Sequence, residues 1–260
     1  MNLNEGGNIF KDPETKIPVT QRINQQDVDP TLAWLEKITN LPHKDFKLGT
    51  TGRKETSGDL DIAVNQNDVS KDEMVAKLAA WLQQNKPDEN PKDWIKKSGI
   101  SVHFKTPING DEANGYVQTD LMFGDPSWMK WSLRGSTGDS PFSGAHRQVL
   151  MSSIASSQGM KWSPNTGLMD RETGELISTN PAEIAQKLLG PTAQADDLES
   201  VETIMTKAQQ LPNYQEITAD ARKTIPKMPG GVELPESFED TQLNRIRELS
   251  GLTLNSVRMS

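Results

Sequence analysis

The sequence predicts an α/β (α+β) chain: a mixed β-sheet with helices, then a smaller α+β region and a helical C-terminal extension. Three observations predict it. Residues 59–62 alternate aspartate with leucine and isoleucine at the period of a strand, and Val64 continues the apolar face. Two further alternating runs, 101–105 and 116–123, flank a turn-rich segment. Helical spacing with capping signals separates these strands and returns after them.

In chain order, residues 1–28 are expected as an extended arm, since the first twenty are polar and turn-rich. Asp29-Pro30 followed by Leu32, Leu35 and Ile38 predicts a capped amphipathic helix. Gly49-Thr50 opens a glycine turn leading to the strand of Asp59 and Asp61, whose carboxylates share one face while Leu60, Ile62 and Val64 share the other. Ser70-Lys71-Asp72-Glu73 is a capping box, and its helix turns Met74, Leu78 and Leu82 toward the sheet. Ser101–Lys105 and Tyr116–Phe123 should pair as a hairpin around Pro107–Asp111, with Val117, Thr119, Leu121 and Phe123 on one face and Gln118, Asp120 and Met122 on the other. That pairing lays Asp120 beside Asp59 and Asp61. A first domain of 29–134, a second of 135–192 and an extension of 193–260 follow. In the extension, Asp196-Asp197 opens a helix carrying Leu198, Val201, Ile204, Met205 and Ala208, and a second helix covers 214–224. Pro226, Pro229-Gly230-Gly231 and Pro235 interrupt regular structure and mark 225–235 as a linker or a strap across the surface. Residues 236–250 predict a last helix, with Phe238, Leu243, Ile246 and Leu249 in an apolar row suited to docking on its own domain or on a protein partner.

Two carboxylates on one strand face make a hard-oxygen claw for Mg²⁺. A third, Asp120, is needed because two ions held roughly 3.5–4 Å apart require more than two protein oxygens. The glycine-rich approach lets backbone N–H groups come close to a triphosphate. Together these point to nucleotidyl transfer.

The run Lys54-Glu55-Thr56-Ser57-Gly58-Asp59-Leu60-Asp61-Ile62 matches a Lys-Glu-Thr-x-Gly-Asp-Leu-Asp-Ile pattern, and Thr119-Asp120-Leu121 stands where that pattern continues as Val-Asp-Leu. Gly135-Ser136, Gly159-Met160, Gly167-Leu168-Met169-Asp170, Glu172-Thr173-Gly174-Glu175 and Ala182-Glu183-Ile184 running to Leu188-Leu189-Gly190 follow in the same order. On these residues, over positions 46–192, the chain resembles the palm and thumb of an X-family DNA polymerase, the group of DNA polymerase beta. The resemblance implies a palm at 29–134 and a thumb at 135–192. It implies addition of nucleotides from NTP or dNTP to a 3′-hydroxyl with pyrophosphate release, in DNA repair. By the same resemblance Asp59 and Asp61 hold two Mg²⁺ ions, for which Mn²⁺ can substitute, and Asp120 completes the shell of the catalytic one. Gly49, Thr50, Arg53, Gly58, Gly135 and Ser136 would bind the nucleotide, and primer or gapped DNA would be a weakly held partner. In the phosphate loop Thr50 replaces the family's serine, Arg53 stands alone where two arginines are usual, and the loop is one residue shorter. The loop Thr137–Gly144 is longer than the family's, with Gln148 or His146 in place of an asparagine near the nucleotide. The stretch before the palm is too short for the family's lyase and helix-hairpin-helix domains. Leu243–Leu249 resembles segments near the ends of phage proteins, which favours a phage source.

A net charge of −8, from 28 Lys and Arg against 36 Asp and Glu, argues against a long grip on duplex DNA. Two local groups, Lys92, Lys96, Lys97, His103 and Lys105, and Arg134, His146, Arg147 and Lys161, could each meet a primer or template phosphate, but such groups are more often solvated faces and are read as such. Trp94, Trp128 and Trp131 are expected to complete a core. His43, His103 and His146 lack metal-ligand spacing, and the absence of cysteine excludes disulfides and thiolate zinc sites. With no bilayer-spanning apolar run and no secretory layout, no membrane is involved and the expected location is cytoplasmic: host cytoplasm, or the virion, for a phage protein. Two rivals stay open: a transferase modifying RNA, a protein or a small molecule, and a palm reused as a structural or virion component.

Overall fold

A computed structural model of the chain describes residues 9–135 and 140–235. They fall into two compact units, one ending at Gly135 and one made of the residues after it. Both mix helices and sheets. Ser136 and the helix expected over 236–250 lie outside the described residues.

The first unit begins with a folded loop where an extended arm was expected. Asp12 Oδ1 accepts from the backbone of Glu14 and Thr15, turning the chain. Val19 N–H then returns to Phe10 O at 3.0 Å, and Phe10 is buried. β1 (Ile23–Asn24) pairs with β2 (Thr56–Ser57), and α1 (Gln25–Thr39) starts at once behind it. The helix therefore begins before Asp29-Pro30, and Pro30 lies within it on an exposed surface. The strand pairing holds Asn24 extended at φ −74°, ψ 149°, so Asn24 and not Asp29 precedes the first turn.

β3 (Asp59–Asn65), α2 (Lys71–Asn85), β4 (Ile95–Ser98), β5 (Ser101–Pro107) and β6 (Tyr116–Gly124) complete the layer, and α3 (Pro126–Ser132) follows. The strands form a four-stranded sheet in the order β3-β6-β5-β4, β3 parallel to β6 and the other neighbours antiparallel. The Ser70–Glu73 capping box is present in both directions, Glu73 N–H to Ser70 Oγ at 3.2 Å and Ser70 N–H to Glu73 Oε2 at 2.7 Å. Leu60, Ile62 and Val64 of β3, with Val102, Phe104, Val117, Leu121 and Phe123, pack against Val28, Leu32 and Leu35 of α1 and Met74, Leu78 and Leu82 of α2. Trp94 belongs to this core, and Trp34 meets Trp81 edge to face at 5.0 Å. With α1 and α2 on one face, the carboxylates of β3 and β6 lie on the opposite face, where Ala63 packs with Leu48 and with Met129 of α3 in a second, smaller cluster.

In the second unit α4 (Gly144–Ser157) is capped by Ser143, and β7 (Met160–Ser163), β8 (Gly167–Asp170) and β9 (Leu176–Ser178) form an antiparallel sheet in chain order. α5 (Pro181–Leu189) has Asn180 as its cap and proline in its first turn. α6 (Val201–Ala208) starts from a Ser200 cap, Asp196-Asp197 lying in a separate 3₁₀ turn. The single helix expected over 214–224 is two, α7 (Tyr214–Ile217) and α8 (Ala219–Thr224). Ser153 of α4 causes the break: its hydroxyl donates to Ile217 O at 2.9 Å and accepts from Ala221 N–H at 3.2 Å, standing in for the backbone bond a continuous helix would make. The proline-rich 225–235 stretch packs as a strap, with Leu234 buried and Arg222 donating to Leu234 O and Pro235 O. Residues 195–235 thus join α4 and α5 in one unit rather than standing apart as an extension.

Candidate active site

The parallel register of β3 and β6 places Asp61 opposite Asp120 and Asp59 opposite Gln118. Asp59, Asp61 and Asp120 each offer an oxygen, and these oxygens lie within 4.8 Å of one another. Burial, then Asp59, then Asp120 push the Asp61 carboxyl well above the usual carboxylate range. A cation among them would reverse that sign. Three hard oxygens at this spacing are a donor set for a divalent ion.

The glycine turn is laced to β3 from the side. Leu48 N–H donates to Asp61 O at 2.8 Å, and Asp61 N–H donates to Thr51 Oγ1 at 3.0 Å. Gly49 adopts φ +55°, which glycine tolerates, and a side-chain carbon there would sit 3.5 Å from Asp61 Oδ2. At Gly135 such a carbon would meet Thr50 Cγ2 at 2.8 Å and the Gly49 carbonyl carbon at 2.9 Å. The structure therefore brings Gly49, Thr50 and Gly135 together beside Asp61. Gly58 joins β2 to β3 immediately before Asp59. Arg53 is exposed, its N–H closing the turn onto Thr50 O at 3.0 Å.

Two residues of this neighbourhood carried no signal in the sequence motif. Thr51 is one, buried and holding the Asp61 backbone. His103 is the other. Its Nδ1 lies 2.7 Å from Asp120 Oδ1, because β5 and β6 pair His103 directly with Asp120. Gln118 Nε2 donates to the same oxygen at 2.8 Å. The β5–β6 hairpin expected from the sequence carries the His103 contact in its register.

The two basic groups are largely occupied by their own fold. Lys97 pairs with Asp72, Lys96 donates to Ile9 O at 2.6 Å, and Lys105 Nζ sits 4.0 Å from the centre of the Trp94 ring. His146 is buried as part of the α4 capping box, and buried Arg147 donates to Leu198 O at 2.6 Å. Gln148 accepts from Trp162 Nε1 at 2.6 Å. Trp128 and Trp131 lie with ring centres 5.3 Å apart. A separate cavity of about 400 Å³ opens by the C-terminal ends of β3 and β6, lined by His43, Asn65, Asp68, Asp125 and Ser127 among others, and none of the three carboxylates borders it. Among the described residues no helix is long and apolar enough to cross a membrane. Comparison of the sequence with protein-family models and with curated proteins finds no match.

Proposed function

We propose that the chain is a Mg²⁺-dependent nucleotidyltransferase of the DNA polymerase beta type, with a palm in the first unit and a thumb beginning after Gly135. It would add nucleotides from NTP or dNTP to a 3′-hydroxyl and release pyrophosphate. The observation that carries this is the Asp61–Asp120 pairing across parallel strands, with Asp59 completing the cluster and the Gly49 turn lying against Asp61. In this scheme Asp59 and Asp61 hold both ions, and Asp120 completes the shell on the side of the attacking hydroxyl. Bound Mg²⁺ supplies the positive charge that neutralises the triphosphate and the charge developing in transfer. The chain supplies position. The backbone N–H of Gly49 can approach a phosphate oxygen because that residue has no side chain, and Arg53 offers the charge-assisted contact.

The test is incubation of the full chain with Mg²⁺, labelled dNTPs or NTPs, and primed or gapped DNA. Primer extension is the expected result. Label entering RNA, a protein or a small molecule instead would move the acceptor to another class. Absence of incorporation with every acceptor would overturn the enzymatic proposal and leave a structural or virion role.

A further inference from the structure

Asp120 Oδ1 receives two N–H donors, His103 Nδ1 at 2.7 Å and Gln118 Nε2 at 2.8 Å. A carboxylate oxygen carries two lone pairs, so Oδ1 is filled and Oδ2 is left for a cation. The donors are themselves held. Gln118 Oε1 accepts from Ile9 N–H at 2.9 Å, which fixes the amide with its nitrogen toward Asp120. Ile9 is fixed in turn, its carbonyl accepting from Lys96 Nζ at 2.6 Å, and Lys96 pairs across the sheet with His103. The register thus runs Lys96, His103, Asp120, Asp61 across β4, β5, β6 and β3 in one row. His103 is only 8% exposed and its Nε2 has no partner among the described residues. The contact with Asp120 is what the ring does with its polar atoms.

We propose that His103 is a positioning residue for the metal site, holding Asp120 so that it ligates through Oδ2 alone, with Gln118 and the backbone of Ile9 as its second support. This rests on the nucleotidyltransferase proposal only in taking the three aspartates as a metal site. Asp120 cannot swing to chelate with both oxygens while two donors occupy one of them. Fixed, one-point ligation keeps the ion at a set distance from Asp59 and Asp61, and loss of such an outer support typically weakens metal affinity or activity about 10–100-fold.

The probe is Mn²⁺, titrated into the full chain and followed by electron paramagnetic resonance, with circular dichroism and thermal melting in chelator as controls of folding. Four proteins are compared: wild type, Asp61→Asn, His103→Leu and His103→Asn. His103→Leu should bind Mn²⁺ about 10-fold or more weakly, with kcat lowered and KM for nucleotide little changed. His103→Asn, which can place an amide N–H near the position of Nδ1, should recover part of both. If Asp61→Asn loses Mn²⁺ binding while folded His103→Leu keeps it in full, the positioning role is wrong and the metal site stands. If the wild type binds no Mn²⁺, or Asp61→Asn binds as well as wild type, the metal site itself falls and the role of His103 falls with it. If His103→Leu does not fold, Gln118→Leu takes its place, with the same weakening expected and full Mn²⁺ affinity overturning the proposal.

Discussion

Asp61 carries its charge against burial and two like neighbours, so in the absence of a cation the folded chain prefers it protonated. Below the ordinary aspartate value of 3.8 both folded and unfolded chains hold that proton. As pH rises toward the raised folded value, the metal-free protein loses stability by ~1.4 kcal/mol for each pH unit. Asp61→Asn should therefore melt higher than wild type in chelator, by a margin that widens with pH over that range, while turnover disappears. His43 behaves in the opposite sense. Burial pulls its pKa down from 6.5 to about 4, against a weaker upward pull from Glu36. Thr39 Oγ1 spends its proton on Leu35 O, so His43 donates Nε2–H to Thr39 at 2.7 Å and keeps a buried, unprotonated Nδ1. Stability is retained above pH 6.5 and lost as pH falls toward 4, roughly 3 kcal/mol across the window. His43→Gln should flatten that part of the melting-temperature profile, and an unchanged slope would place the acid sensitivity elsewhere. Asp59 and Asp61 were legible in the sequence because strand alternation alone decides which side chains share a face, and Asp120 because its strand was expected beside theirs. His103 needed one step more, the register of the hairpin that pairs it with Asp120, and Thr51 lies in a turn whose bond to the Asp61 backbone no periodicity signals.

At the scale of elements the same division holds. The α2 start could be named from Ser70 and Glu73, since a capping box is a bond between neighbours in sequence. The true start of α1 and the break between α7 and α8 could not, because β2 and Ser153 impose them from elsewhere in the chain. The turn 48–51 can be tested through a residue that bears no charge. Gly135→Ala would drive a methyl group to 2.8 Å from Thr50 Cγ2 and to 2.9 Å from backbone atoms of Gly49, so the turn must move. Nucleotide affinity, measured by calorimetry, should fall while Mn²⁺ binding by the aspartates persists. Equal loss of both would mean that the turn and the carboxylates are one rigid body. Ile9→Pro deletes a single N–H and with it the support of Gln118. A metal affinity weakened less than in His103→Leu is expected, measured by the same titration.

The whole chain carries a C-terminal segment whose first part is structural. A cut after Ile225 removes buried Leu234 and both carbonyls that Arg222 engages, whereas a cut after Pro235 spares them. Calorimetric unfolding should show the shorter form destabilised by about 1.5–3 kcal/mol, the value of burying one leucine. The longer form should melt like the full chain. Association with any partner is then tested with the cut after Pro235, where lost binding is not confused with lost folding. Binding to DNA should weaken only gently with salt, since Lys96, Lys97, Lys105 and Arg147 are engaged within the fold and 36 Asp and Glu outnumber 28 Lys and Arg.

β6 is the last strand of its sheet to be made and occupies an inner position, between β3 and β5. Until it arrives, β3 has no neighbour in that sheet, and the closing contact joins residues as distant in sequence as Asp61 and Asp120. Long-range parallel pairing of this kind is slow to nucleate. Here it also drives like charges together at the moment of closure. The sheet should accordingly zip faster when that repulsion is relieved, by a divalent ion or by neutralising Asp61, and stopped-flow refolding of wild type and Asp61→Asn in chelator and in Mn²⁺ measures it.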